Sequence, residues 1–131
     1  MKKDWEIAEK EFEQFFSKLG KEAFVHRLTD TRAARNFVAA QPSDYLVVSQ
    51  GDTFFCEVKT SKSSTSFSHH NIQPKQLASA RRVIKAGGSY LFFIKSLALG
   101  KWFILPAQVI LNATKKSTAW SDISQYEWKT P

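Results

Sequence analysis

Apolar positions along the chain change period several times. Trp5, Ala8, Phe12, Phe15, Phe16 and Leu19 recur at helical spacing and predict an amphipathic helix from Asp4 to Leu19, ended by Gly20. Ala23 to Leu28 reads as a short strand. Tyr45 to Val48 and Thr53 to Lys59 are apolar runs joined by Gln50-Gly51-Asp52, the pattern of a β-hairpin. Ser61 to Asn71 is polar, rich in Ser and His, and reads as a mobile loop. Pro74 suits the first turn of a helix that runs to Ala86 and stops at Gly87-Gly88, with Leu77, Ala80, Val83 and Ile84 as its packing stripe. Tyr90 to Ile94 and Lys101 to Leu105 are further strands, and Pro106 to Asn112 is a short helix. The tail from Thr114 to Pro131 is polar, but Trp120, Tyr126 and Trp128 argue that it packs down. This order predicts an α/β fold, a mixed central sheet flanked by helices, in a single domain over residues 1–131.

The chemistry concentrates in the hairpin. In a strand over Thr53 to Lys59, Glu57 and Lys59 share one face while Cys56 and Val58 take the other. Two charges on an otherwise apolar strand need partners. Asp44 directly precedes the first strand of the hairpin, so pairing brings it toward Glu57 and Lys59. Two carboxylates on rigid elements make an oxygen-rich site suited to Mg2+ or Mn2+, with the Val58 carbonyl as a further oxygen. Lys59 can orient an attacking water or offset charge developing on a phosphate. On the first helix Glu9 and Glu11 both lie at the edge of the apolar stripe, and periodicity does not choose between them. The bland alternative is an ion pair between Glu57 and Lys59 with Asp44 capping a turn.

Charge adds the expected partner. The formal net charge is +7, which points to a polyanion, with nucleic acid first. Hydrophobic residues make up 43% and aromatics 14%, too many for a disordered chain, and no stretch has the length to span a bilayer. Met1-Lys2-Lys3-Asp4-Trp5-Glu6 has no apolar signal core, so a cytoplasmic location is expected. The lone Cys56 reads as a buried thiol. His69-His70 has no third His or Cys to complete a zinc set and reads as a solvated loop or phosphate contact. Lys62 and Lys75 flank the site and are candidate phosphate contacts. Arg81 and Arg82 read as a solvated helix face, and Lys115-Lys116 as ordinary surface.

Pro42-Ser43-Asp44 followed by Glu57-Val58-Lys59 at the end of a hairpin resembles the PD-(D/E)XK nuclease superfamily. Ser64-Thr65-Ser66-Phe67, Asn71-Ile72 and Gln76 opening a helix resemble the RecU-type Holliday-junction resolvases, as does Trp102-Phe103-Ile104-Leu105-Pro106-Ala107. Ala8-Glu9-Lys10-Glu11-Phe12 is similar to the corresponding helix of archaeal Hjc-type resolvases and, by that likeness, favours Glu9. The resemblance covers about Ala8 to Asn112. It implies a restriction-endonuclease-like core and a Mg2+-dependent (or Mn2+-dependent) endonuclease that cleaves four-way DNA junctions in recombination and repair. It further implies Asp44 and Glu57 as metal ligands assisted by Glu9, Lys59 acting on the attacking water, Gln76 steadying the site, and a homodimer in a prokaryotic or phage-infected cell. One departure is plain. RecU proteins carry a long stalk before the catalytic Asp, and Thr29 to Gln41 is too short for one; Arg32 and Arg35 are the expected DNA contacts there. A restriction-like or repair nuclease and a non-catalytic DNA-binding module are the competing functions.

Overall fold

The computed structural model describes residues 2–28 and 41–129. Among the described residues three α-helices, α1 (Asp4–Ser17), α2 (Pro74–Lys85) and α3 (Ala107–Leu111), pack on a sheet whose strand order is β1-β2-β3-β5-β6-β8. Its strands are β1 (Ala23–Arg27), β2 (Tyr45–Ser49), β3 (Asp52–Ser61), β5 (Tyr90–Ser96), β6 (Lys101–Pro106) and β8 (Glu127–Trp128). A separate pair joins β4 (Ser66–Ser68) to β7 (Ser117–Ala119). Within the large sheet β3 and β5 are parallel and every other pairing is antiparallel, so the sheet is mixed, as the sequence predicts. The parallel pair requires a crossover, and the segment carrying β4 and α2 supplies it.

The hairpin β2–β3 closes through Gln50 and Gly51, both at positive φ (52° and 84°), which matches the twist of the flanking strands. This turn fixes the register Ser49↔Asp52 through Tyr45↔Cys56. Each face of the sheet then buries its own apolar set. On one, Ala8, Phe12 and Phe16 of α1 cover Tyr45, Val47, Cys56, Val58 and Phe93. On the other, α2, α3 and the C-terminal 3-10 turn cover Tyr90, Phe92, Ile94, Phe103 and Leu105. Cys56 is buried as expected, and burial raises its thiol pKa.

Three details differ from the sequence reading. α1 ends at Ser17, and Gly20, at φ 58°, opens a 3-10 turn instead of capping the helix. Trp5, read as part of the buried stripe, is exposed. The segment read as a mobile loop holds the end of β3, the strand β4 and a 3-10 turn over His69–Asn71. Phe67 anchors it, fully buried, and a single apolar residue between serines gives no periodicity to read. The tail does pack down: Trp120 stacks on Phe103 with centroids 5.1 Å apart and donates from Nε1 to the Ser63 carbonyl. Trp128 packs edge-on against Phe15. Among the described residues no helix is long and apolar enough to cross a membrane.

Candidate active site

Because Tyr45 pairs with Cys56, the next position outward places Asp44 opposite Glu57. Side chains at such a position share a face and approach closely. There the Asp44 carboxyl lies close enough to add to burial in raising the Glu57 pKa. Three bonds hold the Pro42-Ser43-Asp44 corner. The Tyr90 hydroxyl donates to the Pro42 carbonyl at 2.7 Å, Ser43 Oγ donates to the Tyr45 carbonyl at 2.7 Å, and the Leu28 N–H donates to the Asp44 carbonyl at 2.9 Å.

Glu57 is 2% exposed, on the face covered by α2. Burial, followed by the Asp44 carboxyl, pushes its pKa up to about 9 against the opposing pull of Lys59 and Tyr90. The Tyr90 hydroxyl lies 3.3 Å from Glu57 Oε1. Gln76 Nε2 donates to Glu57 Oε2 at 3.0 Å, and Gln76 Oε1 accepts from Lys59 Nζ at 3.0 Å. The same Oε1 accepts from the Gln73 N–H at 2.9 Å, a helix-capping contact that fixes which way the amide faces. The start of α2 therefore clamps Glu57 and Lys59 together.

The backbone of Val58 completes this corner. The Phe55 N–H and the Ser61 carbonyl both bond toward the β5 side, so the odd-numbered residues of β3 turn their polar groups that way. Val58, even-numbered, turns its carbonyl to the opposite edge, where β2 has already ended. Two carboxylates and an open carbonyl thus meet at one strand end, with too little cationic charge to relieve Glu57. A hard divalent cation fits that donor set.

Glu9 is buried on α1 and takes a different partner. Arg27 Nη1, at the end of β1, donates to Glu9 Oε1 at 2.8 Å, and also reaches Tyr45 Oη at 2.9 Å and Glu13 Oε2 at 3.3 Å. The Tyr45 hydroxyl in turn donates to Glu13. Burial raises the Glu9 pKa, Arg27 opposes it, and the charges of Asp44 and Glu13 add to it. Among the described residues no three His, Cys, Asp or Glu side chains converge as a ready-made metal cage. Glu11, the other helical candidate, turns to the opposite end of the sheet, accepting from Lys95 Nζ at 2.6 Å and Trp102 Nε1 at 3.4 Å.

The remaining candidates are dispersed. Lys62 is exposed and lies 3.8 Å from Asp4, and Lys75 is exposed on the first turn of α2. Arg32 and Arg35 fall outside the described residues. His69 is half-buried, with Nε2 2.6 Å from Thr118 Oγ1 and its pKa lowered by burial, while His70 is exposed. Sequence reasoning missed Tyr90 and Arg27. A tyrosine opening an apolar strand was the available signal for Tyr90, since a buried hydroxyl needs a partner.

With this geometry in view, the comparisons with known proteins are specific. No curated protein matches the chain in sequence. The structure is similar to that of Hjc from Archaeoglobus fulgidus, described as a Holliday junction resolvase from an archaeal hyperthermophile. The match has a TM-score of 0.62 at 16% identity and covers 92% of each chain, a likeness of fold. The family model for recombination protein U matches residues 25–129, most of the chain and all of the β2–β3–α2 corner. The chain belongs to the recombination protein U (RecU) family.

Proposed function

We propose that this chain is a divalent-metal-dependent DNA endonuclease, a Holliday-junction resolvase that cuts phosphodiester bonds at four-way junctions in recombination and repair. The observation that carries it is the meeting of Asp44, Glu57 and Lys59 at one strand end, clamped by Gln76. Membership of the RecU family and the shared fold with an archaeal resolvase support the reading.

Asp44, Glu57 and the Val58 carbonyl would hold Mg2+ or Mn2+, with Glu9 assisting from α1. When bound, the metal supplies Lewis acidity to a phosphate oxygen and lowers the pKa of water. Lys59, tethered by Gln76, presents an ammonium beside the carboxylates, where it orients the attacking water and offsets charge on the phosphate. Gln76 keeps that ammonium and the Glu57 carboxylate at fixed spacing. Tyr90 holds the Pro42 carbonyl and so keeps the Asp44 corner from opening. Lys62, Lys75, Arg32 and Arg35 would contact DNA phosphates. Two nicks placed symmetrically across a junction require two sites, so the active species is a homodimer, acting in the cytoplasm of a prokaryotic or phage-infected cell.

The test is cleavage of a labelled immobile four-way junction beside its linear duplex arms, with Mg2+ and with EDTA, by wild type and Glu57→Ala. Paired nicks in the junction alone, lost with EDTA and in the variant, are expected. Equal cutting of the linear arms would leave a nuclease without junction selectivity. Tight binding with no cutting would make the chain a DNA-binding module. Sedimentation of the same sample with and without junction reads the dimer.

A further inference from the structure

Between Glu57 and Asp122 the chain contains no Asp or Glu, yet it holds ten Lys and Arg. The fold turns this sequence asymmetry into a spatial one. α1, over Asp4–Ser17, carries Asp4, Glu6, Glu9, Glu11 and Glu13 against the single Lys10. The opposite layer is built mainly from the acid-free segment: β4, α2, α3 and β7. α1 therefore holds a run of carboxylates, two of them paired with Lys62 and Lys95, while β4, α2, α3 and β7 carry no Asp or Glu at all.

Within the basic layer, Lys115 and Lys116 are placed by specific bonds. The His69 N–H donates to the Lys116 carbonyl at 2.9 Å, His69 Nε2 meets Thr118 Oγ1, and β4 pairs with β7 through Ser68↔Ser117. The α3–β7 loop is thus fastened to the 3-10 turn His69–Asn71, which leads directly into α2. At the start of α2 stand Lys75 and then Gln76, the residue that clamps Glu57 and Lys59. Lys75, Lys115 and Lys116 are exposed, and among the described residues none of them is ion-paired. Uncompensated lysines held on a rigid turn next to a phosphate-cutting site are suited to backbone contacts, which position a duplex without reading its sequence.

We propose that a duplex arm leaving the active site runs along the start of α2 and the α3–β7 loop, with Lys115 and Lys116 meeting its phosphates beyond Lys75. This rests on the nuclease reading and adds the direction in which the substrate lies. Lys115 and Lys116 touch phosphates remote from the cut, so their loss weakens substrate binding and leaves the chemical step intact.

The experiment measures binding of an immobile four-way junction in EDTA by anisotropy, from about 50 to 200 mM salt, the range over which phosphate contacts show. Wild type is compared with Lys115→Gln/Lys116→Gln and with Lys18→Gln/Lys21→Gln, an equal loss of charge near the end of α1. The first variant should lower the slope of log K against log salt by about 2, at roughly 0.9 per phosphate contact. The control should leave the slope unchanged. In Mg2+ the first variant should raise KM with kcat preserved. An unchanged slope while wild type binds and cuts would overturn the proposed path and leave the nuclease reading standing. Equal slope loss in both variants would reduce the effect to net charge and also overturn it. A wild type that neither binds nor cuts the junction would sink both.

Discussion

The side-chain amide of Gln76 donates to Glu57 Oε2 at 3.0 Å from the first turn of α2, a helix nineteen residues further along the chain. Its other atom, Oε1, accepts from Lys59 Nζ, so one amide spans the two charged residues of β3. Partners that orient ligating carboxylates typically contribute ten- to a hundredfold to activity or metal affinity. Gln76→Ala should therefore lower kcat/KM for junction cleavage by about ten- to a hundredfold. The variant should stay folded, losing about 1 kcal/mol with the capping contact. Gln76→Glu should be worse in activity, because it replaces the donor to Glu57 with a third carboxylate. Steady-state cleavage and urea unfolding of both variants check this. A Gln76→Ala enzyme with unaltered kcat/KM would remove the clamp from the mechanism.

Glu57 makes the metal-free protein sensitive to pH. Burial, and then Asp44, place its folded-state pKa at about 9, above an unfolded value of about 4.3. The unfolded chain releases that proton first, so the stability tied to protonated Glu57 is complete below about pH 4. It is lost as pH rises toward the folded pKa. In EDTA, the difference in Tm between wild type and Glu57→Gln should become more unfavourable to wild type from pH 5 to pH 9. Adding Mg2+ or Mn2+ should raise the wild-type Tm by preferential binding to the folded state and leave Glu57→Gln unmoved. A flat difference curve would mean that Glu57 is not held in the electrostatic environment described.

The charged corner was legible because its logic is local. Alternation along β3 puts Glu57 and Lys59 on one face, and a two-residue turn at Gln50 and Gly51 fixes Asp44 opposite Glu57. The central sheet was legible for the same reason, since its long strands are apolar runs bounded by turn residues. What stayed hidden depends on contacts between distant segments. Arg27 collects Glu9, Glu13 and Tyr45 from two elements, and no spacing announces that meeting. The strand β4 has one buried side chain, Phe67, and its partner β7 lies about fifty residues away. The choice between Glu9 and Glu11 was equally invisible to periodicity, because both flank the apolar stripe and only the placement of Arg27 and Lys95 separates them.

That separation can be tested directly. Glu11 bonds Lys95 and Trp102, whereas burial raises the Glu9 pKa and the Asp44 charge adds to it. Glu11→Gln should cost about 1 kcal/mol of stability, the scale of a partly exposed charged hydrogen bond, and leave kcat unchanged. Glu9→Gln should lower activity at least about tenfold and shift the Mn2+ concentration needed for half-maximal cleavage upward. Paired metal titrations of cleavage decide the matter. The reverse pattern would move the helical ligand to Glu11 and require α1 to turn.

Arg27 is the remaining point of leverage, since one guanidinium nitrogen meets Glu9, Glu13 and the Tyr45 hydroxyl. Removing it leaves the Glu9 carboxylate, only 12% exposed as a side chain, with no other cation in contact among the described residues. Full burial of such a pair would imply a loss of several kcal/mol. The Arg27 side chain is 55% exposed, and solvent screening cuts the expected cost of Arg27→Met to about 1–2 kcal/mol. The activity cost should exceed what that destabilisation explains, because Glu9 loses its orientation beside Asp44. Arg27→Lys keeps the charge and gives up the geometry that reaches three acceptors at once, so it should recover most of the stability and only part of the activity. Urea unfolding alongside single-turnover junction cleavage separates the two effects. Full activity in Arg27→Met, at a concentration where it is folded, would show that Glu9 needs no orienting partner and that the Arg27 cluster serves α1 docking alone.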